Sequence, residues 1–212
     1  PVTMRRVCGL AAERGVAIGA QIGYRDLAGF GRRRIEMDPD ELAAELMYQL
    51  GALGAFAHAA GTRVRYVKAH GALYNTAADD PAQAAAVASA VAAVNASLPL
   101  LGLPNSALAS AAADAGREFV AEGFADRAYT STGRLLPRTE PGAVLADQAA
   151  ALAQAVSIAR YRRVTAIDGT PVDVPAASVC VHGETLGAVL LARQIRRTLE
   201  DAGVQLAPFA AP

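Results

Sequence analysis

The chain has 212 residues, 53% of them hydrophobic, which is enough to bury one sizeable core, so we expect a single domain over residues 1–212. Its 20 basic residues balance its 20 acidic residues, which argues against nucleic acid or an anionic membrane as a partner. Two distant cysteines predict no disulfide framework, and the absence of a secretory signal or a long apolar stretch predicts a cytoplasmic protein.

Helix-like and strand-like segments alternate along the chain. Asp38 and Asp80 each precede a proline, and this pair indicates a helix start because aspartate caps the first turn and proline fits its first position. Apolar residues at helical spacing follow each start, whereas short apolar runs indicate buried strands. Helices are predicted over residues 7–15, 38–61, 80–94, 106–115, 147–160 and about 185–199, and strands over residues 16–20, 64–67, 98–101, 118–121, 164–167, 178–181 and 204–206.

This alternation predicts a mostly parallel sheet covered by helices. A barrel is the preferred architecture, although the pattern does not separate a barrel from a doubly wound sheet. The sequence contains neither a G-x-G-x-x-G turn nor a Walker A sequence, which disfavours the two common nucleotide-binding versions of the fold. Residues 123–142 are rich in glycine, proline and charge, and we expect them to form a long functional loop.

Polar residues follow several of the predicted strands at the ends where parallel α/β folds bind ligands. Lys68 and His70 follow the second strand, Asp168 follows a later one, and His182 and Glu184 follow the next. Imidazole is the usual proton carrier near neutral pH, and the glycine after each histidine lets a ligand approach the backbone. Lys68, His70, His182 and Glu184 are therefore predicted to converge on one catalytic cleft, with a structural role for each histidine as the alternative.

Other polar residues have two interpretations each. Asp168 is either a site carboxylate or a turn-former before Gly169. Asp126, Arg127 and Tyr129 form either a lid over the site or a loop held by its own ion pair. No compact metal-ligand spacing such as H-E-x-x-H occurs, so no metal site is predicted.

Several segments carry a specific resemblance that extends over essentially the whole chain. The segment K-A-H-G-A-L-Y-N at residues 68–75 and C-V-H-G-E at residues 180–184 resemble signatures of the LamB/YcsF family of 5-oxoprolinase A subunits. Residues 23–33, 124–129 and 137–144 resemble further segments of that family, in the same order. The chain is therefore identified as a member of this family.

The resemblance implies a fold. The implied fold is an incomplete (β/α) barrel of about seven strands, related to the polysaccharide-deacetylase superfamily. The family's first strand, with its acidic segment, is expected to precede Pro1 and is missing from this chain.

The resemblance also implies an activity, which is hydrolysis of 5-oxo-L-proline to L-glutamate driven by ATP, in a complex with subunits B and C. ATP would phosphorylate the lactam oxygen, with phosphate as the later leaving group. A divalent metal could accompany the nucleotide. Lys68 would stabilise phosphoryl charge, and His70 or His182 would move protons. The residues expected to bind substrate or nucleotide are Tyr24, Asp26, Tyr74, Asn75, Arg127, Arg138 and Asp168.

The chain departs from the family pattern at a few positions. Gln21 and Ile22 stand where the family has His-Pro, and Glu184 stands where aspartate is usual. A glutamine cannot act as a base and is a poor ligand for most metals. Two alternatives to the enzyme subunit follow, namely a non-catalytic partner subunit of the same complex and a metal-dependent hydrolase resembling deacetylases.

Overall fold

The computed structural model of the chain describes residues 1–183 and 187–211. The chain divides into two compact units. The first contains Pro1–Val120 and the residues from Ala210 onward, and the second contains Ala121–Phe209. Each unit is built from strands and helices that alternate, as the sequence predicts.

The first unit contains three strands that lie side by side in the order of the chain. β1 (Ile18–Ile22) pairs in parallel with β2 (Val64–Ala69), and β2 pairs in parallel with β3 (Leu100–Gly102). The helices of this unit are α1 (Val2–Glu13), α2 (Pro39–Ala59), α3 (Gly71–Asp79), α4 (Pro81–Val94) and α5 (Ala107–Asp114).

Local sequence signals explain where these helices begin. The Asp38 carboxylate accepts hydrogen bonds from the N–H groups of Asp40 and Glu41 at the start of α2. Asp80 caps α4 in the same way, and the proline that follows each aspartate occupies the first turn. Such caps satisfy N–H groups that have no partner inside the helix. Both predicted helix starts are confirmed.

Helix α3 differs from the prediction, because the sequence indicated only a strand exit over residues 70–75. The helix follows β2 with no intervening loop, and His70 is its N-cap in an extended conformation. Gly71 has a φ of +61°, a left-handed conformation that glycine adopts at low cost. A β-carbon at Gly71 would overlap the carbonyl oxygen of Gly31, so the close approach of the two segments also requires glycine.

β4 (Phe119–Phe124) begins in the first unit, where the Leu100 N–H donates to the Glu118 carbonyl, and continues into the second. There it pairs in parallel with β7 (Ser178–Cys180). The strand order is β1-β2-β3-β4-β7. Helices α6 (Gln148–Tyr161) and α7 (Ala188–Asp201) pack in the second unit around Ala125, and the buried face of α7 is the predicted one, made of Ala188, Leu191, Ile195 and Leu199.

Two of the strand predictions are wrong. Residues 164–167 were expected to join the parallel sheet, but β5 (Arg163–Thr165) pairs antiparallel with β6 (Pro171–Asp173) as a separate hairpin. Residues 204–206 form no strand. Short apolar runs do not reveal which neighbour they will pair with, because pairing depends on contacts far apart in the sequence.

The parallel α/β class is thus confirmed, and five strands form the parallel sheet in the part of the chain that the structure describes. The ring of about seven strands and the relation to deacetylases are not confirmed. Over the described residues, no helix combines the length and apolar character needed to cross a membrane.

Candidate functional site

His70 lies at the end of β2, held by its backbone. Its N–H donates to the Ile22 carbonyl at the end of β1 over 2.7 Å. The Phe30 ring meets the imidazole edge-on, with the ring centroids 6.3 Å apart and an interplanar angle of 83°. Gly31 passes so close that a β-carbon there would lie 3.6 Å from the Nδ1 of His70. His70 is thus a half-buried imidazole fixed between the ends of two parallel strands and a glycine-rich turn.

Lys68 precedes His70 by two residues, so its side chain leaves the same face of β2. It is only 9% exposed, and its ammonium group lies 5.4 Å from the centroid of the Tyr74 ring. A cation over a tyrosine ring is stabilised by the negative face of the aromatic system. Gln21 is the register neighbour of Lys68 on β1. Lys68, His70 and Tyr74 are therefore brought together within the first unit.

Asp26 is the anchor of the turn that follows β1. Its carboxylate accepts hydrogen bonds from the backbone N–H groups of Gly29 and Arg33, at 2.9 and 3.2 Å. The Arg33 guanidinium forms an ion pair with the same carboxylate, and this pairing lowers the pKa of Asp26 to about 2. Asp26 is thus committed to holding its own turn, and a contact with substrate or nucleotide stays a prediction.

Tyr24 and Asn75, also predicted to bind ligand, have local partners. The buried Tyr24 hydroxyl donates to Oε1 of Gln83 over 3.0 Å, and burial raises the pKa of this phenol. Nδ2 of Asn75 donates to the Gly71 carbonyl over 3.2 Å, within the first turn of α3. The Asn75 contact supports the backbone next to His70, whereas the Tyr24 hydroxyl ties the segment after β1 to α4.

The second unit contains the most clearly organised pair of ionisable groups, Asp126 and His182. Nδ1 of His182 lies 2.9 Å from Oδ1 and 3.0 Å from Oδ2 of Asp126. The backbone N–H of His182 donates to Oδ2 over 3.3 Å. The Asp126 side chain is 2% exposed and that of His182 is 18% exposed. A buried carboxylate therefore orients an imidazole that still reaches solvent.

The protonation of this pair follows from its surroundings. Burial by itself raises the pKa of Asp126, but the hydrogen bonds and charge of His182 outweigh that effect, so the pKa is lowered. An ionised carboxylate only accepts hydrogen bonds, so Nδ1 of His182 carries the proton and donates it. In the neutral form of His182, the Nε2 lone pair is then available to accept a proton from a substrate or from water.

Neighbouring side chains hold this pair in place. The Phe124 ring stacks on the His182 imidazole at a centroid distance of 5.7 Å and an angle of 26°. Nε2 of Gln154, on α6, donates to the carbonyls of Phe124 and Arg127, both at 2.8 Å, and to that of Ala125 at 3.3 Å. These carbonyls flank Asp126, so α6 holds the turn from which the Asp126 carboxylate projects.

Arg127 and Tyr129 form hydrogen bonds inside the predicted loop. Arg127 is 4% exposed, and its guanidinium donates to the carbonyls of Ala143 and Leu136. The fully buried Tyr129 hydroxyl accepts the Phe124 N–H over 2.7 Å, and burial raises the pKa of Tyr129. Both side chains bind the 124–144 segment to itself, whereas the Asp126 carboxylate pairs with His182, which lies outside this segment.

The remaining predicted residues lie elsewhere. Asp168 is exposed in the β5–β6 hairpin, where it accepts the Thr170 N–H over 3.0 Å, as the turn-forming interpretation expected. Arg138 is exposed in the 124–144 segment. Glu184 lies outside the described residues. Lys68 and His70 belong to the first unit, whereas His182 belongs to the second, so their convergence on one cleft stays a prediction.

Sequence reasoning missed several polar residues that are buried or half-buried in the structure. Glu122 on β4 is 1% exposed and, by strand alternation, shares a face with Phe124. Gln49 on α2 forms two hydrogen bonds with the backbone of Gly23, at 3.0 and 2.8 Å. Gln83 and Gln154 were likewise missed, because a glutamine inside a helix carries no local signal of what it will contact. A carboxylate inside an apolar strand run, as at Glu122, was the one signal that could have found such a residue.

Comparison with known proteins places this geometry in a family. The model of the LamB/YcsF family matches residues 1–212. The A subunit of 5-oxoprolinase from Streptomyces avermitilis is 58% identical over 208 residues, which cover 98% of this chain and 83% of the relative. The corresponding A subunit from Mycobacterium marinum is 54% identical over 209 residues, with 99% and 83% covered.

A solved structure shows the same fold. The crystal structure of a lactam utilization protein from Thermus thermophilus has a TM-score of 0.89 and 41% sequence identity, and the match covers 97% of this chain and 82% of that one.

The fold and the Asp126–His182 pair define a parallel α/β protein in which a buried carboxylate orients a partly exposed imidazole. Identity above 50% over nearly the whole chain goes well beyond similarity of fold. The chain belongs to the LamB/YcsF family.

Proposed function

We propose that this chain is the A subunit of a multi-subunit 5-oxoprolinase and takes part in opening the lactam ring of 5-oxo-L-proline to give L-glutamate. Relatives at 54–58% identity are named as A subunits of 5-oxoprolinase, and the solved relative is called a lactam utilization protein. The structural observation that carries the proposal is the buried Asp126 carboxylate on the Nδ1 of His182. Such a pair supplies a positioned base for the attack of water on an amide carbon.

The chemistry requires activation, because a five-membered lactam is a stable amide. In our proposal ATP transfers its γ-phosphoryl group to the lactam oxygen, releasing ADP. Water then adds to the ring carbon, the carbon–nitrogen bond breaks, and the ring nitrogen takes up a proton. A second water displaces phosphate from the resulting acyl phosphate, so that one ATP and two waters yield glutamate, ADP and phosphate.

Residues of this chain fit parts of this reaction. The Nε2 of His182 can remove a proton from the attacking water, since its Nδ1 proton is held by Asp126. The buried Lys68 ammonium is suited to stabilising negative charge on a phosphorylated oxygen, and His70, two residues further on, to proton transfer. A divalent metal bound with the nucleotide would help to neutralise the charge of its phosphates. Among the described residues, no three histidine, cysteine or acidic side chains are grouped for a metal ion.

The decisive experiment is reconstitution. We expect the purified chain to release no glutamate from 5-oxoproline, and we expect release coupled to ADP formation when subunits B and C of the same organism are added. Robust hydrolysis by the chain alone would contradict the division of labour. Activity of subunits B and C that is independent of this chain would contradict its role altogether.

One observation favours an alternative, a non-catalytic partner subunit. Gln21 stands beside Lys68 in the β1–β2 register, where the family has histidine, and an amide cannot carry a proton. Reconstitution with a His182→Ala chain separates the two functions. The enzyme subunit loses turnover by a factor on the order of 10²–10⁴. A purely structural subunit retains it.

A further inference from the structure

The turn that follows β4 is closed by the side chain of Tyr129. The Tyr129 hydroxyl accepts the N–H of Phe124, five residues earlier in the chain, over 2.7 Å. Tyr129 is fully buried. Because Asp126 lies between the two joined residues, this hydrogen bond spans the turn from which the Asp126 carboxylate projects. A side chain inside the core thus connects the end of β4 to the far end of that turn.

The Phe124 N–H depends on this one side-chain oxygen. Successive residues of a strand direct their N–H groups to opposite edges. The Ala125 N–H donates to the Cys180 carbonyl on β7 over 3.2 Å, so the Phe124 N–H points away from β7. On that side its acceptor is the Tyr129 hydroxyl. A buried N–H requires an acceptor, so the Tyr129 oxygen stabilises the direction in which the strand ends.

The segment held in this way supplies two contacts to the His182 imidazole. The Asp126 carboxylate lies 2.9 and 3.0 Å from Nδ1, a contact about which the ring could still rotate. The Phe124 ring stacks on the imidazole at a centroid distance of 5.7 Å and an angle of 26°, which fixes the plane of the ring. Only the two contacts together give Nε2 a single direction.

We propose that Tyr129 is a positioning residue for His182, acting through the Phe124 N–H on the two side chains that contact the imidazole. The inference rests on the proposed function, in which His182 is the base, and it adds the residue that fixes the direction of Nε2. Because Tyr129 is fully buried, it acts through the strand end rather than through contact with the substrate. Gln154 binds the carbonyls of the same turn, whereas Tyr129 binds the N–H at its start.

The first test compares two variants that each remove one phenolic oxygen. Tyr129→Phe removes the acceptor of the Phe124 N–H, and Tyr161→Phe makes the same change at a 66% exposed position on α6 of the same unit. In the complex reconstituted with subunits B and C, we expect Tyr129→Phe to lower kcat by a factor on the order of 10–100 with KM unchanged, because a slightly misplaced catalytic group costs rate and not affinity. Tyr161→Phe should retain full kcat.

The second test reads the imidazole directly and requires no substrate. Long-range ¹H–¹⁵N NMR correlations show which ring nitrogen carries the proton in neutral histidine, and the His182→Ala variant identifies the signals of His182. We expect the proton on Nδ1 in the unaltered protein and in Tyr161→Phe. In Tyr129→Phe we expect a mixture with the proton on Nε2, because the Asp126 turn is no longer held at its start. A loss of stability alone would not change this ratio in the folded protein.

Phe124→Leu separates the two contacts and serves if Tyr129→Phe does not fold. It keeps the backbone N–H and the Asp126 contact but removes the stacked ring, so kcat should fall while the proton stays on Nδ1. Full kcat in Phe124→Leu would overturn the inference.

Full kcat in Tyr129→Phe, even with a lower free energy of unfolding, would likewise make Tyr129 a merely structural residue and leave the proposed function intact. Absence of turnover with the unaltered chain would overturn the proposed function, whereas the NMR comparison would still decide whether Tyr129 positions His182.

Discussion

Asp126 and His182 are 56 residues apart in the chain and 2.9 Å apart in the structure, which makes their pair sensitive to single substitutions. Asp126→Asn replaces an acceptor by a group that can also donate, so Nδ1 of His182 no longer has to carry the proton. In the molecules whose imidazole carries its proton on Nε2 instead, that nitrogen can no longer act as a base. We expect turnover in the reconstituted complex to fall by a factor on the order of 10²–10⁴ with little change in KM.

The control for this variant is Asp173→Asn, which removes a carboxylate that is 76% exposed and paired with Arg163 in the β5–β6 hairpin. It should retain turnover. If Asp126→Asn were equally active, the pair would be a structural contact and His182 would not be the base.

Asp26 makes the stability of the turn that follows β1 dependent on pH. The pKa of its carboxyl is lowered to about 2 by Arg33, whereas an aspartate in an unfolded chain titrates near about 3.9. A group with a lowered folded-state pKa stabilises the fold above the unfolded pKa and loses that effect as pH falls through the folded value. The stability advantage over Asp26→Asn should therefore be full above about pH 5 and shrink toward about pH 2.

Urea unfolding at several pH values measures this difference. Asp114→Asn, an exposed position in the same unit, is the control and should show a smaller change with pH. A constant difference between Asp26→Asn and the unaltered chain across the acidic range would contradict the Asp26–Arg33 ion pair.

At the scale of elements, α6 stabilises the turn after β4 through one side chain. Gln154→Leu keeps the size of the residue and removes the donor shared by three carbonyls. Leaving buried carbonyls without a donor costs roughly 1–3 kcal/mol. We expect a decrease of that size in the free energy of unfolding, together with reduced turnover, because Asp126 projects from the same turn.

Gln148→Leu tests the specificity of this effect, since Gln148 is exposed in the first turn of the same helix. It should change stability by less than about 0.5 kcal/mol, as surface substitutions usually do. Loss of stability in Gln154→Leu with full turnover would show that α6 supports the fold but not the position of Asp126.

At the scale of the whole molecule, the function of Gln21 can be tested only in the complete complex. Gln21 is exposed on β1 next to Lys68, where the resemblance to the family implies a histidine. If the missing imidazole limits proton transfer, Gln21→His should raise kcat without raising substrate affinity, the result expected for an interaction made mainly in the transition state. Steady-state kinetics with metal content measured alongside decides this, and equal kcat for the two chains would make Gln21 a bystander.

Much of the architecture is predictable because its signals are local. The Asp-Pro starts of α2 and α4 and the apolar face of α7 all depend on residues within a few positions of one another. In the sequence, β5 has the pattern of a strand of the parallel sheet, because nothing local shows that it will pair with β6 in a hairpin. Asp168 accordingly lies in a hairpin turn rather than at the end of a parallel strand.

The sequence by itself determined the parallel α/β class, the family, and His70 and His182 as the candidate proton carriers. Only the tertiary structure decided that Asp126 orients His182, that Gln154 holds the turn from which Asp126 projects, and that Arg33 neutralises Asp26. Periodicity and caps act over one or two turns of chain, so a sequence displays them directly. The pairing of a carboxylate with an imidazole 56 residues away arises only when parallel strands bring their ends together.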